Sequence, residues 1–307
     1  MNIYELNIDG KTFHLGDDNG FLVYEGVALK HDTFYIVCPY GIGDTLYAAS
    51  LAESLKSFRS LSNICFIVKK SHSQIPDWFD YIDEKIVSDE IVNTLNLFSI
   101  FLGKWEMKNY LYGHFRKDTN GAILSEYGDC EVKNMIYRYK KLVFHLPAES
   151  VLEEPKILPD ELLFQKLMTT YNLDSQSIIL MPYANSAALL SEHFWEILAN
   201  LLIDLGFTVY TNVKGSEELA IPGTTALRAD LATMAAICEF CRLVISFRSG
   251  ICDVLAFTET NLIVINGSEY HLNEWNLKYA TNRNNIHSFL ASDNTIIPTI
   301  LDILNYS

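Results

Sequence analysis

The sequence predicts an α/β protein of two domains, the second of which is built around a parallel β-sheet. Short apolar runs alternate with amphipathic stretches of helical periodicity, which is the pattern of strand-helix units. A stretch rich in proline and glutamate interrupts this alternation at about residues 146–159. The length of 307 residues also exceeds what one hydrophobic core usually serves, since a domain typically holds about 100 to 200 residues.

The N-terminal half begins with a small antiparallel element. Residues 1–32 alternate apolar and polar side chains between turn residues, which predicts a β-meander. An apolar run at 34–38 then predicts a buried strand, and the glycine-containing loop and amphipathic helix that follow complete a strand-loop-helix unit. A second buried strand is predicted at 64–68. The aromatic-rich segment 78–139 gives mixed, mainly helical patterns, from which we predict no topology.

We place the domain boundary in the proline- and glutamate-rich stretch, so that residues 1–150 form the first domain and residues 151–307 the second. Beyond it, apolar strands alternate with amphipathic helices, and such alternation predicts a parallel sheet covered on both faces. The strands are predicted at 177–181, 207–211, 243–246 and 262–265, and the helices at about 193–204, 230–241, 251–257 and 296–304.

The charge balance restricts the partners of this protein. A net charge of -15 would repel the phosphate backbone of a nucleic acid, so nucleic acid is not expected as a partner. It also argues against broad attachment to an anionic membrane, although a basic patch at Arg138, Lys140 and Lys141 could make one peripheral contact with a membrane or a protein. The N-terminus lacks the pattern of a signal peptide, and no apolar run is long enough to span a bilayer. We therefore expect a cytoplasmic protein.

The six cysteines lie mostly in apolar runs, which favours buried, reduced thiols over a disulfide framework. The Cys238-Glu-Phe-Cys241 sequence has the spacing of half a zinc site, but no second pair completes a set of four ligands. Core packing is therefore the expected role of these two cysteines.

The first candidate for chemistry is the segment that follows the strand at 34–38. Ligands of open parallel sheets bind beyond the carboxyl ends of the strands. Here Gly41 and Gly43 allow a backbone to approach a ligand closely, Asp44 offers a carboxylate, and Thr45 follows it. The alternative is that Asp44 only caps the next helix and the glycines only make the turn. The segment matches neither a dinucleotide-binding fingerprint nor a phosphate-binding loop with its lysine.

The second candidate lies between the strand at 243–246 and the next helix. Ser249 and Gly250 fall at the start of the helix, where free N–H groups can bind a diphosphate, and Arg248 adds a cation able to make paired hydrogen bonds. The alternative is a serine-capped helix beside a structural ion pair of Arg248.

With these segments the chain resembles the bacterial heptosyltransferase-like GT-B glycosyltransferases over most of its length. The run from Gly41 to Leu46 is similar to the family's small-x-Gly-Asp-x-Leu loop. Residues 179–186 look like the segment that opens the donor domain, and residues 231–236 followed by 248–250 look like the donor-phosphate element. The resemblance implies two Rossmann-like domains that face each other across a cleft. It also implies that Asp44 is the general base, on an acceptor-side loop formed with Gly41, Gly43 and Thr45.

The sequence departs from the family pattern at three places. Arg248 stands where the family usually has an acid, and Cys252 where it often has a histidine. Residues 187–190 are Ala-Ala-Leu-Leu in place of a Lys-x-Trp-Pro signature. These departures argue against an ADP-heptose donor, and they suggest that Arg248 takes over the phosphate charge that the missing lysine would neutralise.

The resemblance predicts a glycosyltransferase that moves a sugar from a nucleotide-activated donor to a glycan or glycoconjugate acceptor, in the synthesis of bacterial surface polysaccharide. No Asp-x-Asp motif ends a strand, so we expect neither a metal nor a cofactor. The donor-binding residues are predicted to be Arg248, Ser249, Gly250, Tyr183, Asn185, Lys214 and Asn266. Two alternatives remain: a nucleotide-sugar-binding partner subunit or epimerase of the same fold, and an interaction scaffold without nucleotide binding.

Overall fold

Two units make up the chain in its computed structural model, which describes residues 2–8, 10–115, 134–184, 190–215, 217–281 and 283–305. The units are Met1–Lys156 and Ile157–Ser307. Residues 151–156, which the sequence analysis assigned to the second domain, belong to the first unit. The backbone N–H of Glu153 donates to the carbonyl oxygen of Ser50, and that of Lys156 donates to Trp78, both at 2.8 Å.

The first unit begins with the predicted β-meander. Strands β1 (Asn2–Ile8), β2 (Lys11–Asp18) and β3 (Phe21–Tyr24) pair antiparallel in that order. Asn19 and Gly20 form the turn between β2 and β3 with φ angles of 55° and 87°. Positive φ at both central residues is the geometry of the tight turns that match the twist of a hairpin.

The buried side chain of Asn109 attaches the meander to the rest of the first unit. Its Oδ1 accepts a hydrogen bond from the backbone N–H of Leu22 at 2.7 Å, and its Nδ2 donates to the Leu22 carbonyl at 3.3 Å. Leu15, Leu22 and Tyr24 pack into the same core cluster as Leu95 and Phe98. The meander therefore forms part of the hydrophobic core of this unit.

The main sheet of the first unit has the strand order β6-β5-β4-β8-β7. Strands β4, β5, β6 and β8 run parallel, and β7 pairs antiparallel with β8. The apolar run of β4 is buried at every position, as expected for a strand with both faces covered. The strands are β4 (Thr33–Cys38), β5 (Asn63–Val68), β6 (Glu84–Val87), β7 (Glu106–Met107) and β8 (Tyr110–Tyr112).

Helices cover this sheet, and the longest of them has both of its ends fixed by local signals. Ser88 caps its N-terminus by accepting from the N–H of Ile91, and Gly103 ends it with a φ of 64°. The helices of the unit are α1 (Ile42–Ser50), α2 (Ala52–Arg59), α3 (Asp89–Leu102) and α4 (Met135–Arg138), with 3₁₀ turns at Lys70–His72 and Ile75–Trp78 and a π-helical turn at Tyr139–Val143. The segment 78–139, whose pattern was mainly helical, contains β6, β7 and β8 in its described part.

The sheet of the second unit has six strands within the described residues, all parallel, in the order β11-β10-β9-β12-β13-β14. The four predicted strands are present, and β11 and β14 extend the sheet on its two sides. The strands are β9 (Ser177–Met181), β10 (Thr208–Asn212), β11 (Thr225–Leu227), β12 (Leu243–Phe247), β13 (Leu262–Asn266) and β14 (Ile286–Leu290).

Amphipathic helices flank this second sheet. Trp195, Leu198 and Leu202 are buried at the spacing of one helix face and pack on the sheet residues Ile178 and Leu180. The helices are α5 (Glu161–Tyr171), α6 (Glu192–Asp204), α7 (Leu231–Phe240), α8 (Gly250–Leu255), α9 (Glu269–Glu274) and α10 (Ile296–Asn305), with a 3₁₀ turn at Leu277–Tyr279. In the part of the chain that the structure describes, no helix is long and apolar enough to cross a membrane.

The strand order of each main sheet reverses beside its first strand. The chain runs from β4 outward through β5 and β6, and then returns to place β8 on the other side of β4. In the second unit it runs from β9 through β10 and β11, and then places β12 on the other side of β9. The connections on the two sides of such a point diverge and leave a crevice at the carboxyl ends of the strands, where ligands of this fold class bind.

Candidate active site

The crevice of the first unit lies at the ends of β4 and β8, and Asp44 stands beside it. Gly41 caps α1, which begins at Ile42, so Gly43, Asp44 and Thr45 belong to the first helical turn. The sequence analysis had placed them in a loop. The helix begins this early because the carbonyl oxygen of Gly41 accepts both the N–H of Thr45 at 3.1 Å and its hydroxyl at 3.0 Å.

Asp44 is not the capping residue of α1, as one interpretation of the sequence had it, but lies three residues after the cap. Its Oδ2 accepts the backbone N–H of Gly41 at 3.1 Å. The conformation of Gly41 is ordinary, with a φ of -90°, and an added Cβ would lie 3.7 Å from Asp44 Oδ2. Backbone strain therefore does not require glycine at this exposed position, although a glycine there leaves the carboxylate accessible.

The other oxygen of Asp44 has two partners from distant parts of the chain. The hydroxyl of Tyr139 donates to Oδ1 at 2.8 Å, and Nε2 of His114 lies 3.3 Å from the same atom. His114 follows β8, and Tyr139 begins the π-helical turn. The Asp44 side chain keeps 21% of its exposure, so solvent or a ligand can reach a carboxylate that is otherwise enclosed.

Gly113 allows His114 to approach Asp44. Its N–H donates to the carbonyl oxygen of Val37 on β4 at 2.9 Å. A Cβ at position 113 would lie only 2.9 Å from that carbonyl oxygen and 3.1 Å from Cγ2 of Ile36. A side chain at this position would force the end of β8 away from β4, and it would move His114 with it.

The electrostatics of this cluster favour a charged Asp44. Burial alone would raise the pKa of the Asp44 carboxyl group. The charge of His114, together with the hydrogen bonds that His114, Tyr139 and Gly41 donate to Asp44, outweighs burial and lowers that pKa to about 2. Burial, and then the charge of Asp44, raise the pKa of Tyr139 well above its ordinary value, so this hydroxyl keeps its proton and remains a donor.

Aromatic rings enclose the cluster. The ring of Tyr40 packs against His114 with centroids 4.3 Å apart, and the ring of Phe115 packs against Tyr139 at 4.8 Å. The hydroxyl of Tyr112 lies 3.1 Å from that of Tyr40 and 2.8 Å from Oδ1 of Asn96. The apolar surroundings strengthen the interactions of the carboxylate, because charges attract more strongly where water is excluded.

His114 and Tyr139 were not predicted as site residues. Their sequence separations from Asp44 are large, and both fall in the segment whose topology could not be predicted. One signal was available: His114 follows a glycine directly after the short apolar run of β8. A glycine and a polar residue after a buried strand are the same features that pointed to Asp44.

In the second unit, the crevice lies at the ends of β9 and β12, and Arg248 stands there in a buried ion pair. Its Nη1 donates to Oδ2 of Asp253 at 2.9 Å, and its Nη2 donates to Oδ1 at 2.7 Å. The two nitrogens also donate to the carbonyl oxygens of Ser249, at 2.9 Å, and of Trp275, at 3.4 Å. The exposed fractions of the Arg248 and Asp253 side chains are 8% and 4%.

Ser249 and Gly250 lie at the start of α8, as the sequence predicted. Ser249 is the N-cap residue, but its side chain does not accept a hydrogen bond from the helix. Both residues are partly exposed, so this turn of backbone is open to a ligand. Cys252, in the same helix, is buried, and its thiol lies 3.2 Å from the hydroxyl oxygen of Ser246.

The remaining predicted donor residues are distributed along the same edge of the sheet. Tyr183 follows β9, and β9 lies next to β12, the strand that precedes Arg248. The hydroxyl of Tyr183 donates to the carbonyl oxygen of Leu219. Lys214 follows β10, and its side chain is exposed. Asn266 ends β13, and its buried amide donates to the carbonyl oxygen of Phe289 at 3.0 Å. Asn185 lies outside the described residues.

Comparison with solved structures identifies the fold. The chain is similar to a glycosyl transferase of family 9 from Veillonella parvula, with a TM-score of 0.58 and 14% identity over 92% of this chain and 93% of that one. It is also similar to the E. coli ADP-heptose LPS heptosyltransferase II, with a TM-score of 0.58 and 15% identity over 89% and 97% of the two chains. The E. coli heptosyltransferase WaaC with ADP gives a TM-score of 0.55 and 14% identity over 90% and 100%.

No protein-family profile and no curated protein sequence matched the chain. The structural likeness covers both units and confirms the predicted fold: an α/β chain of the GT-B heptosyltransferase type that carries a small N-terminal antiparallel sheet. The sequence resemblance to this family is thus confirmed at the level of fold.

Proposed function

We propose that this chain is a glycosyltransferase that moves a sugar from a nucleotide-activated donor to a hydroxyl group of a glycan or glycoconjugate. The observation that carries the proposal is the Asp44 carboxylate, which is held ionised at the crevice of the first sheet in a fold that known glycosyltransferases share. A fixed carboxylate with a reachable oxygen suits the removal of a proton from a hydroxyl group.

In the proposed reaction, Asp44 takes the proton of the acceptor hydroxyl. The acceptor oxygen forms a bond to the anomeric carbon of the donor sugar, and the bond between that carbon and a phosphate oxygen breaks. The electron pair of the broken bond stays on the nucleoside diphosphate, which leaves with one more negative charge. The reaction therefore needs a base at the acceptor and a group that stabilises the growing charge on the phosphate.

The second unit supplies the donor site in this proposal. Its crevice at the ends of β9 and β12 has the position at which parallel sheets bind nucleotides. Both terminal nitrogens of Arg248 already have two acceptors each, so we assign to Arg248 the task of fixing the turn at Ser249. The backbone N–H groups of Ser249 and Gly250 then contact the phosphates.

The other parts of the proposal follow the predicted reaction class. Backbone N–H groups at the start of a helix can stabilise a leaving diphosphate, so we propose a reaction without a catalytic metal or a cofactor. We further propose that the protein acts in the cytoplasm, in the synthesis of a bacterial surface glycan. Two of the three similar structures described above are named for ADP or ADP-heptose, so ADP conjugates are the first donors to test, and the departures from the family pattern favour a sugar other than heptose.

Thermal unfolding with a panel of nucleotides tests the proposal first. The panel contains ADP, GDP, UDP and CMP together with their sugar conjugates. A ligand at about 100 times its dissociation constant stabilises the fold by about 2.7 kcal/mol, which a thermal scan detects easily. A conjugate that stabilises the protein is then offered with glycan acceptors, and transfer is measured by mass spectrometry. Failure of every nucleotide to stabilise the fold would contradict the proposal and favour an interaction scaffold.

A further inference from the structure

The two carboxylate oxygens of Asp44 have different surroundings. Oδ1 has partners from two distant segments, whereas Oδ2 has the Gly41 N–H as its one hydrogen-bond donor among the described residues. We propose that His114 and Tyr139 are positioning residues that hold Oδ1 and keep Asp44 charged, so that Oδ2 is the atom that takes the acceptor's proton. This inference rests on the proposed function and identifies the residues that orient the base and keep it charged.

His114 is held in one orientation. Its Nδ1 lies 3.2 Å from the carbonyl oxygen of Phe115, and its Nε2 lies 3.3 Å from Oδ1 of Asp44. Both ring nitrogens thus face oxygen acceptors, and a ring with a proton on each nitrogen satisfies both. The rings of Tyr40 and Phe115 pack edgewise on it, with centroids 4.3 and 5.3 Å away, and prevent the imidazole from turning.

Tyr139 fixes the same oxygen from another direction. Its side chain is fully buried, and its ring packs against Phe115 and Tyr47 with centroids 4.8 and 6.3 Å away. Because this hydroxyl keeps its proton, it donates to Oδ1 throughout the working pH range. Oδ1 therefore has two fixed neighbours that an incoming hydroxyl would have to displace.

Oδ2 of Asp44 can accept one more hydrogen bond, from the hydroxyl group of the acceptor. A carboxylate oxygen has two lone pairs, and the Gly41 N–H occupies one of those on Oδ2. This hydrogen bond belongs to the first turn of α1, so it sets the distance of Oδ2 from the backbone. Gly41 itself is exposed, and the absence of a side chain there leaves the approach to Oδ2 open.

Within the described residues, three further titratable groups interact electrostatically with Asp44. They are Cys38 of β4, His72 of the 3₁₀ turn after β5, and Tyr112 of β8. Burial raises the pKa values of the Cys38 thiol and the Tyr112 hydroxyl far above their ordinary ranges. Burial lowers the pKa of His72, which favours its neutral form. The charge of His114 is the largest of the influences that lower the pKa of the Asp44 carboxyl group.

The experiment measures the titration of Asp44 directly. Protein labelled with ¹³C at the aspartate carboxyl carbons is titrated by NMR, and the Asp44→Asn variant identifies the Asp44 signal by its loss. In His114→Asn and in Tyr139→Phe, we expect Asp44 to titrate about 1 to 3 pH units higher than in the wild type. Tyr139→Phe removes one hydroxyl and keeps the ring packing, so it serves if His114→Asn does not fold. His193→Asn, a change at an exposed histidine, should leave the titration unchanged.

Activity provides a second readout once a donor and an acceptor are known. The His114 and Tyr139 variants should lower kcat and leave the affinity for the nucleoside diphosphate unchanged. An unchanged Asp44 titration in both variants overturns the inference, even if Asp44→Asn is inactive. Full transfer by Asp44→Asn overturns the proposed base instead, whatever the NMR titration gives, so the two failures are distinguishable.

Discussion

Asp253 accepts a hydrogen bond from each terminal nitrogen of Arg248, at 2.9 and 2.7 Å, and this ion pair is almost completely removed from solvent. The sequence analysis had left two roles open for Arg248, a phosphate ligand or a structural ion pair, and the geometry displays the ion pair. The pair joins the end of β12 to α8. It therefore determines the shape of the turn at Ser249 and Gly250.

Loss of one partner of this pair should destabilise the second unit strongly. Asp253→Asn or Arg248→Gln leaves an unpaired buried charge or polar group, and breaking a buried pair typically costs about 3 to 5 kcal/mol. Urea unfolding measures the change. Arg283→Gln, which breaks the more exposed pair with Glu259, is the matched control and should cost less than about 1 kcal/mol. Equal losses of unfolding free energy at the two sites would show that the buried pair of Arg248 and Asp253 contributes no more to stability than the exposed pair.

Asp44→Asn should abolish most transfer and leave the protein folded. The amide oxygen can still accept the N–H of Gly41, so the first turn of α1 keeps its hydrogen bond, but an amide cannot take the acceptor's proton. Removal of a positioned base typically lowers the rate by about 10² to 10⁴. The measurement is single-turnover transfer, with the thermal shift by nucleotide as the control for donor binding. Wild-type turnover in this variant would mean that the base lies elsewhere.

The stability of the protein should also report the charge of Asp44. The pKa of the Asp44 carboxyl group is lowered from 3.8 to about 2 in the folded state. At pH values above the pKa of the unfolded state, the charged carboxylate therefore stabilises the fold. This contribution is lost as the pH falls through the folded pKa, and it amounts to about 2 kcal/mol. We expect the stability advantage of the wild type over Asp44→Asn to shrink by that amount between about pH 5 and pH 2. Urea unfolding at a series of pH values would reveal a constant difference if the prediction is wrong.

Gly113→Ala should damage the site through the backbone. The added Cβ would lie 2.9 Å from the carbonyl oxygen of Val37, which belongs to a buried strand that cannot move easily. Overpacking of this kind costs about 1 to 3 kcal/mol, and it should displace His114 and raise the pKa of Asp44. Gly215→Ala is the control, because nothing lies within 4 Å of a Cβ there. Similar unfolding curves for the two variants would contradict the contact described for Gly113.

Transfer should persist in the presence of EDTA. Because backbone N–H groups at Ser249 and Gly250 can stabilise the leaving diphosphate, the proposed reaction does not require a divalent ion. The assay compares initial rates with and without the chelator. A rate that disappears in EDTA and returns with magnesium or manganese would redirect attention to the acidic residues of both units.

The predictions from sequence were best where a single element carries the information. Strands such as β4 and β9 are continuous apolar runs, and Asp44 could be chosen because it follows one of them directly. The edge strand β14 was missed because Ile286 is its one buried residue, and β11 because it has three residues. His114 and Tyr139 could not be assigned to the site, since their contacts with Asp44 depend on how β8 and the π-helical turn return to β4.

The hydrogen bonds between Leu22 and Asn109 have a consequence for the synthesis of the chain. The strands of the β-meander are made before their anchor, because Asn109 lies 87 residues beyond Leu22 in the sequence. At about 5 to 20 residues per second, the meander waits about 4 to 17 s before the anchor is made. During that interval the backbone N–H and carbonyl groups of Leu22 lack the side-chain partner that they have in the folded protein. The meander can therefore take up its final attachment to the first unit only seconds after its own strands have been made.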